Sequence, residues 1–191
     1  MRHHLGDDGG KPAKQLELYS MAKTPSAPQV CDSATDGDRI LQRIAGTNIN
    51  AETMLATDYL NHFNEVVMLL EMMPEMPDCF DELKAWRPKS YKEHFQGSVF
   101  SDRELAIEAY DHAPVKHRAP FETIIGCLDN DLLDAIAEVG AAIDGGVEGR
   151  IGEVVGMVLP SIQSHLDMAS AIINGVVVNT DQSEIDKILE S

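Results

Sequence analysis

The 191-residue chain is 43% hydrophobic and 25% charged, proportions that fit one globular domain and exclude a collagen-like repeat or a long low-complexity tract. Fifteen Lys and Arg against 32 Asp and Glu give a formal net charge of −17, a field that repels phosphate backbones and anionic lipid headgroups, so neither nucleic acid nor membrane is expected as a partner. The apolar stretches 151–159 and 169–178 fall short of the roughly 20 residues that span a bilayer and contain Glu153 and Asn174.

The polar start Arg2-His3-His4-Leu5-Gly6 has no signal-peptide core, which points to a cytoplasmic protein. Cys31, Cys79 and Cys127 are odd in number and widely spaced, so reduced thiols are expected rather than a disulfide framework or a cysteine zinc site.

Residues 1–37 carry Gly6, Gly9, Gly10, Pro12, Pro25 and Pro28 without sustained apolar periodicity and read as a mobile N-terminal tail. From Asp38 to residue 191 the apolar spacing is helical, with no alternation of period two, and the class is all-α in a single domain. Ile40, Leu41 and Ile44 form a short first helix that stops at Gly46. Asn50 is placed to cap a second helix from Ala51 to about Met73, ended by Pro74. Three short pieces follow between Pro77 and Pro114, two of them opened by the capping-box patterns Ser90-x-x-Glu93 and Ser101-x-x-Glu104.

Pro120 suits the first turn of a long helix whose apolar face runs from Phe121 through Leu128 and Leu132 to Ile143, ending at Gly145-Gly146. Its partner carries Ile151, Val155, Ile162, Leu166 and Ile173, and Pro160 is expected to kink or split it. Gly175 marks a stop, and Asp181-x-x-Glu184 opens a C-terminal helix with Ile185, Ile188 and Leu189. The sum is a helical bundle of about four main helices plus short connecting ones, with the long pair forming an antiparallel hairpin.

Carboxylates and imidazoles that face inward from several helices are how a bundle holds a divalent ion such as iron, manganese or zinc. Asp58, His62 and Glu65 line one helical stripe, Glu122 and Asp129 another, and the wheel puts His165 within the buried face of its helix, which makes these six the candidate metal ligands. The order His62-x-x-Glu65 departs from the Glu-x-x-His of di-iron bundles, and the plainer account is a hydrogen-bonded core histidine beside a half-solvated helix edge. A second chemical alternative makes His62 a phosphoryl acceptor, because phosphotransfer modules are acidic helical bundles with one mid-helix histidine. No phosphate-binding glycine loop and no Gly-x-Ser-x-Gly elbow occurs, so no motif calls for a cofactor.

Charge is unevenly spread: residues 38–83 hold 2 basic and 9 acidic groups, 84–118 hold 7 and 5, and 119–191 hold 2 and 13. The cationic middle also gathers Trp86, Tyr91, Phe95, Phe100 and Tyr110, half of the chain's ten aromatic residues. Either these rings pack the short helices onto the bundle, or Trp86, Arg87, Lys89, Tyr91, Lys92 and Phe95 form a partner-binding surface. Met68, Met72, Met73 and Met76 adjoin it, and methionine suits a core edge and an adaptable groove equally. The leading expectation is a small acidic cytoplasmic bundle that works by protein–protein interaction, self-association or regulation, without catalysis of its own. The metal-binding bundle and the phosphotransfer module are the alternatives.

Overall fold

The structure is a computed structural model that describes residues 36–147 and 149–176. Within them lie seven α-helices, two short 3-10 turns and one isolated bridge between Ile49 and Ala56, so the fold is all-α. The expected N-terminal tail, but for its last two residues, and the C-terminal helix after Asp181 lie outside the described residues.

Helix α1 (Asp36–Ile44) buries Ile40 and Ile44 and leaves Leu41 exposed. It ends at Gly46, whose φ of 86° is a left-handed conformation that a side chain would strain. The second helix does not begin at Asn50. The Asn50 carboxamide instead accepts from Glu52 N–H and Thr53 N–H, closing a tight turn, and Met54 then takes a φ of 60°, which no helix can continue through. The Thr53 hydroxyl donates to the Ile173 carbonyl at 2.7 Å, so this turn is tied to the far end of the last helix. A 3-10 turn over Thr57–Leu60 leads into α2 (Asn61–Met72).

After a 3-10 turn at Pro77–Cys79, the short pieces appear as α3 (Phe80–Ala85), α4 (Tyr91–Gly97) and α5 (Arg103–Asp111). The Ser90 capping box forms on both sides. The one expected at Ser101 does not: α5 starts after Asp102 with no side-chain cap, because Ser98 supplies the turn, accepting Phe100 N–H on its hydroxyl and the Arg103 guanidinium on its carbonyl.

Helix α6 (Val115–Gly145) begins about five residues earlier than expected, so Pro120 lies inside it and costs only a bond near its start. Helix α7 (Arg150–Ile173) runs unbroken through Pro160, which faces solvent, where the freed Gly156 carbonyl meets water. The two pack along their length, with Leu128, Leu132, Ala135 and Val139 on one and Val155, Ile162 and Ala169 on the other wholly or almost wholly buried. Each buried aliphatic side chain of this size is worth about 1.5–3 kcal/mol. Gly140 lets α3 approach: a Cβ there would lie 2.8 Å from the tip of the Phe80 ring. At the end of α7, Gly175 N–H bonds the Ile172 carbonyl and Val176 N–H the Ala171 carbonyl, the paired bonds of a Schellman ending, with Gly175 at φ 81°.

Candidate functional site

The aromatic residues of the middle segment lie inside. Tyr59 is their hub, its ring edge-on to Phe63 at 5.4 Å and Phe121 at 5.8 Å and tilted on Tyr91 at 5.2 Å. Tyr91 stacks on Tyr110, and Phe95 is completely buried. Polar tips explain why these amphipathic rings are in the core: each finds a partner there. Tyr91 Oη accepts from Ala56 N–H at 2.8 Å, Tyr59 donates to the Lys89 carbonyl at 2.7 Å, and Trp86 Nε1–H donates to the His62 carbonyl at 3.2 Å. The extended segment 86–90, which Pro88 keeps from helix, is thus held down by side chains from the turn before α2 and from α2 itself. Of the surface expected from this segment, Tyr91 and Phe95 are core, Trp86 is partly buried, and Arg87, Lys89 and Lys92 remain at the surface. Arg87 folds back on the Lys84 and Trp86 carbonyls, and Lys92 pairs with Asp111.

His62 is part of the same clamp. Its Nε2–H donates to the Arg87 carbonyl at 3.0 Å, and its ring stacks on Trp86 with centroids 5.1 Å apart. Burial, with Lys89 and His94 nearby, pushes its pKa down to about 4, so the ring is neutral at physiological pH. A nitrogen spent on a backbone carbonyl in the core offers no exposed nucleophile to an incoming phosphoryl group.

Glu65 is exposed on α2, Glu122 accepts from the Tyr110 hydroxyl at 2.7 Å, and Asp58 and Asp129 each hold one buried carboxylate oxygen without a hydrogen-bond partner. Burial pushes the Asp129 carboxyl up to about 6. Among the described residues no group of three or more His, Cys, Asp or Glu is arranged to hold a metal ion.

His165 is buried, as the helical wheel requires, and its partner is Asp131 on α6. The imidazole Nδ1 lies 2.9 Å from Asp131 Oδ2, and the Ser161 hydroxyl donates to the same oxygen at 3.0 Å. A carboxylate on Nδ1 fixes the orientation and tautomer of an imidazole. The serine, however, bonds the carboxylate and not the ring, so the order of a Ser-His-Asp relay is not made. Nothing in the segment around Asp131 pairs it with His165, thirty-four positions away.

The other feature is the outer face of α2. Its inner face buries His62, Phe63, Val66, Val67, Leu70 and Met73. Its outer face carries Met68 and Met72, 61% and 38% exposed, and Met76, 48% exposed, follows past the helix end, with Glu65, Glu71 and Glu75 also exposed on this stretch. Spacing of four places the Met68 and Met72 thioethers on one stripe of α2, and the Met76 N–H bonds the Met72 carbonyl at 2.8 Å where the chain leaves the helix, with Met76 at φ −134°. The apolar spacing of Leu55, Tyr59, Phe63, Val66 and Leu70 indicates the core face in the bare sequence, and all five are buried.

No helix among the described residues is long and apolar enough to cross a membrane. Comparison with protein-family models, with curated proteins and with solved structures finds no match for the chain.

Proposed function

We propose that this chain is an interaction module, a small acidic helical bundle that works by binding another protein and has no catalysis of its own. The observation that carries this reading is the exposed pair Met68 and Met72 on a helix whose opposite face is fixed in the core, with exposed Met76 just past the helix end. Three large apolar side chains in a row are costly to leave in water, and a contiguous exposed patch of that kind on a rigid element marks a contact surface more often than chance exposure does. Methionine fits such a role because its unbranched, polarisable side chain repacks against differently shaped partners. The aromatic cluster, by contrast, is spent on the fold, and the metal and phosphotransfer alternatives draw no support from where Asp58, His62, Glu65, Glu122, Asp129 and His165 lie.

The test is site-specific photocrosslinking in the native cell. A photoreactive residue at position 72 is expected to give a discrete adduct of higher mass, and one at Ala137, exposed on α6, to give none. Equal labelling from both positions, or none from either, would remove the interaction reading. Stoichiometric iron, manganese or zinc in protein purified without a chelating tag would favour the metal-binding reading instead.

A further inference from the structure

We propose that the methionine face of α2 docks a cationic amphipathic helix of a partner protein, the thioethers covering its apolar stripe and the surrounding carboxylates taking its Lys and Arg side chains. This rests on the interaction reading above and names the chemistry of the partner.

The argument for the occupant is charge. No Lys or Arg occurs between Arg43 and Lys84, whereas eight carboxylates do: Glu52, Asp58, Glu65, Glu71, Glu75, Asp78, Asp81 and Glu82. Of these, Glu65, Glu71, Glu75, Asp78, Asp81 and Glu82 are exposed on α2 and the turn and helix that follow it, so the methionine stripe is apolar ground inside an acidic frame. A partner must therefore satisfy two conditions at once, an apolar surface to cover the methionines and positive charge beside it. Met68 and Met72 lie one turn apart, about 6 Å along the axis of α2, and Met76 follows just past its end, so the ridge of a second helix can seat on this face. An amphipathic helix with a basic margin meets both conditions in one element.

A second copy of the chain meets them poorly. Each copy carries a formal charge of −17, so two copies repel each other on average even though Lys84, Lys89 and Arg103 are exposed on the cationic middle segment. Anionic membrane is repelled by the same acidic frame.

The experiment uses the full chain and a fluorescent 18-residue peptide of Leu and Lys patterned with helical period. Two controls accompany it: a scrambled peptide of the same composition and a Leu/Glu peptide of the helical pattern. Anisotropy titration is expected to show the patterned Lys peptide bound at least tenfold more tightly than the scrambled one, with no binding of the Glu peptide. The triple variant Met68→Gln, Met72→Gln, Met76→Gln keeps charge, length and near-equal helix propensity; it is expected to lose at least tenfold in affinity, while Met157→Gln, an exposed methionine on α7, changes nothing. Glu71→Lys with Glu75→Lys is expected to weaken binding and flatten its dependence on salt. Equal binding of patterned and scrambled peptides, or undiminished binding by a folded triple variant, would overturn the proposal. So would a dimer in sedimentation velocity that the triple variant abolishes, since a second copy would then be the occupant. If crosslinks from position 72 persist while the peptide shows no preference, the interaction reading survives and only the partner chemistry assigned here falls.

Discussion

The imidazole of His165 on α7 and the carboxylate of Asp131 on α6 meet at 2.9 Å, across the longest helix pair of the fold, with the Ser161 hydroxyl on the same carboxylate oxygen. The pair satisfies a polar group that the helical spacing drives into the core, where α6 packs on α7. Removing the ring should leave both a cavity and a half-satisfied carboxylate. His165→Ala is expected to cost about 2–4 kcal/mol, and Asp131→Asn about 1–2 kcal/mol. Urea unfolding of the two single variants and the double variant gives their coupling, expected at about 1 kcal/mol or more. Additive effects would mean that the two side chains act independently.

His62 should make the fold acid-sensitive. Its pKa in the folded chain is lowered to about 4 from the ordinary 6.5. The unfolded chain therefore takes up a proton that the folded chain refuses. Stability from this group is complete above pH 6.5 and is lost as pH falls through 6.5 toward 4. The loss is of order 3 kcal/mol at most. His62→Gln should lower stability at pH 7.5 by losing the stack on Trp86 and flatten the pH dependence between 6.5 and 4, which urea midpoints at a series of pH values would read.

Asp129 predicts the opposite slope. Its carboxyl is raised to about 6 from 3.8 by burial, so the ionised form is penalised in the folded chain. That penalty is absent below pH 3.8 and grows as pH rises to about 6. The nearly isosteric Asp129→Asn should be neutral at low pH and stabilising by about 1–2 kcal/mol above pH 6.5. A variant no more stable than the wild type at pH 7.5 would contradict this.

Gly175 ends α7 at φ 81° and lies against Glu52, whose carboxylate oxygen would be 3.0 Å from an added Cβ. Gly175→Ala is expected to destabilise by about 1 kcal/mol or more, from left-handed backbone strain. Thermal unfolding would show it as a lower midpoint. The same change at exposed Gly126, inside α6 with open space around it, should raise the midpoint, because alanine favours helix.

Much of the fold follows from local sequence. The helical class, the short first helix ended by Gly46, the capping box at Ser90, the hairpin of α6 and α7 and the burial of His165 all rest on periodicity and on capping or stop residues a turn or two away. These depend on interactions within one or two helical turns, which a linear reading reaches. What it could not reach depends on long-range partners. Asn50 closes a turn rather than opening a helix because Met54 turns left-handed beside a Thr53 hydroxyl that bonds the end of α7, 120 residues on. Of the rings of residues 86–110, Tyr91 and Phe95 are core and Trp86, Phe100 and Tyr110 half-buried, because Tyr59, His62 and Ala56 supply partners for Tyr91, Trp86 and the 86–90 backbone. Asp131 meets His165 only because α6 packs on α7, and Met73 is buried while Met68 and Met72 stay exposed because α2 packs one side against α3 and α7. Composition and spacing determine which residues share a face; the packing of that face against another element decides which side is solvent, and with it which residues remain available to a partner.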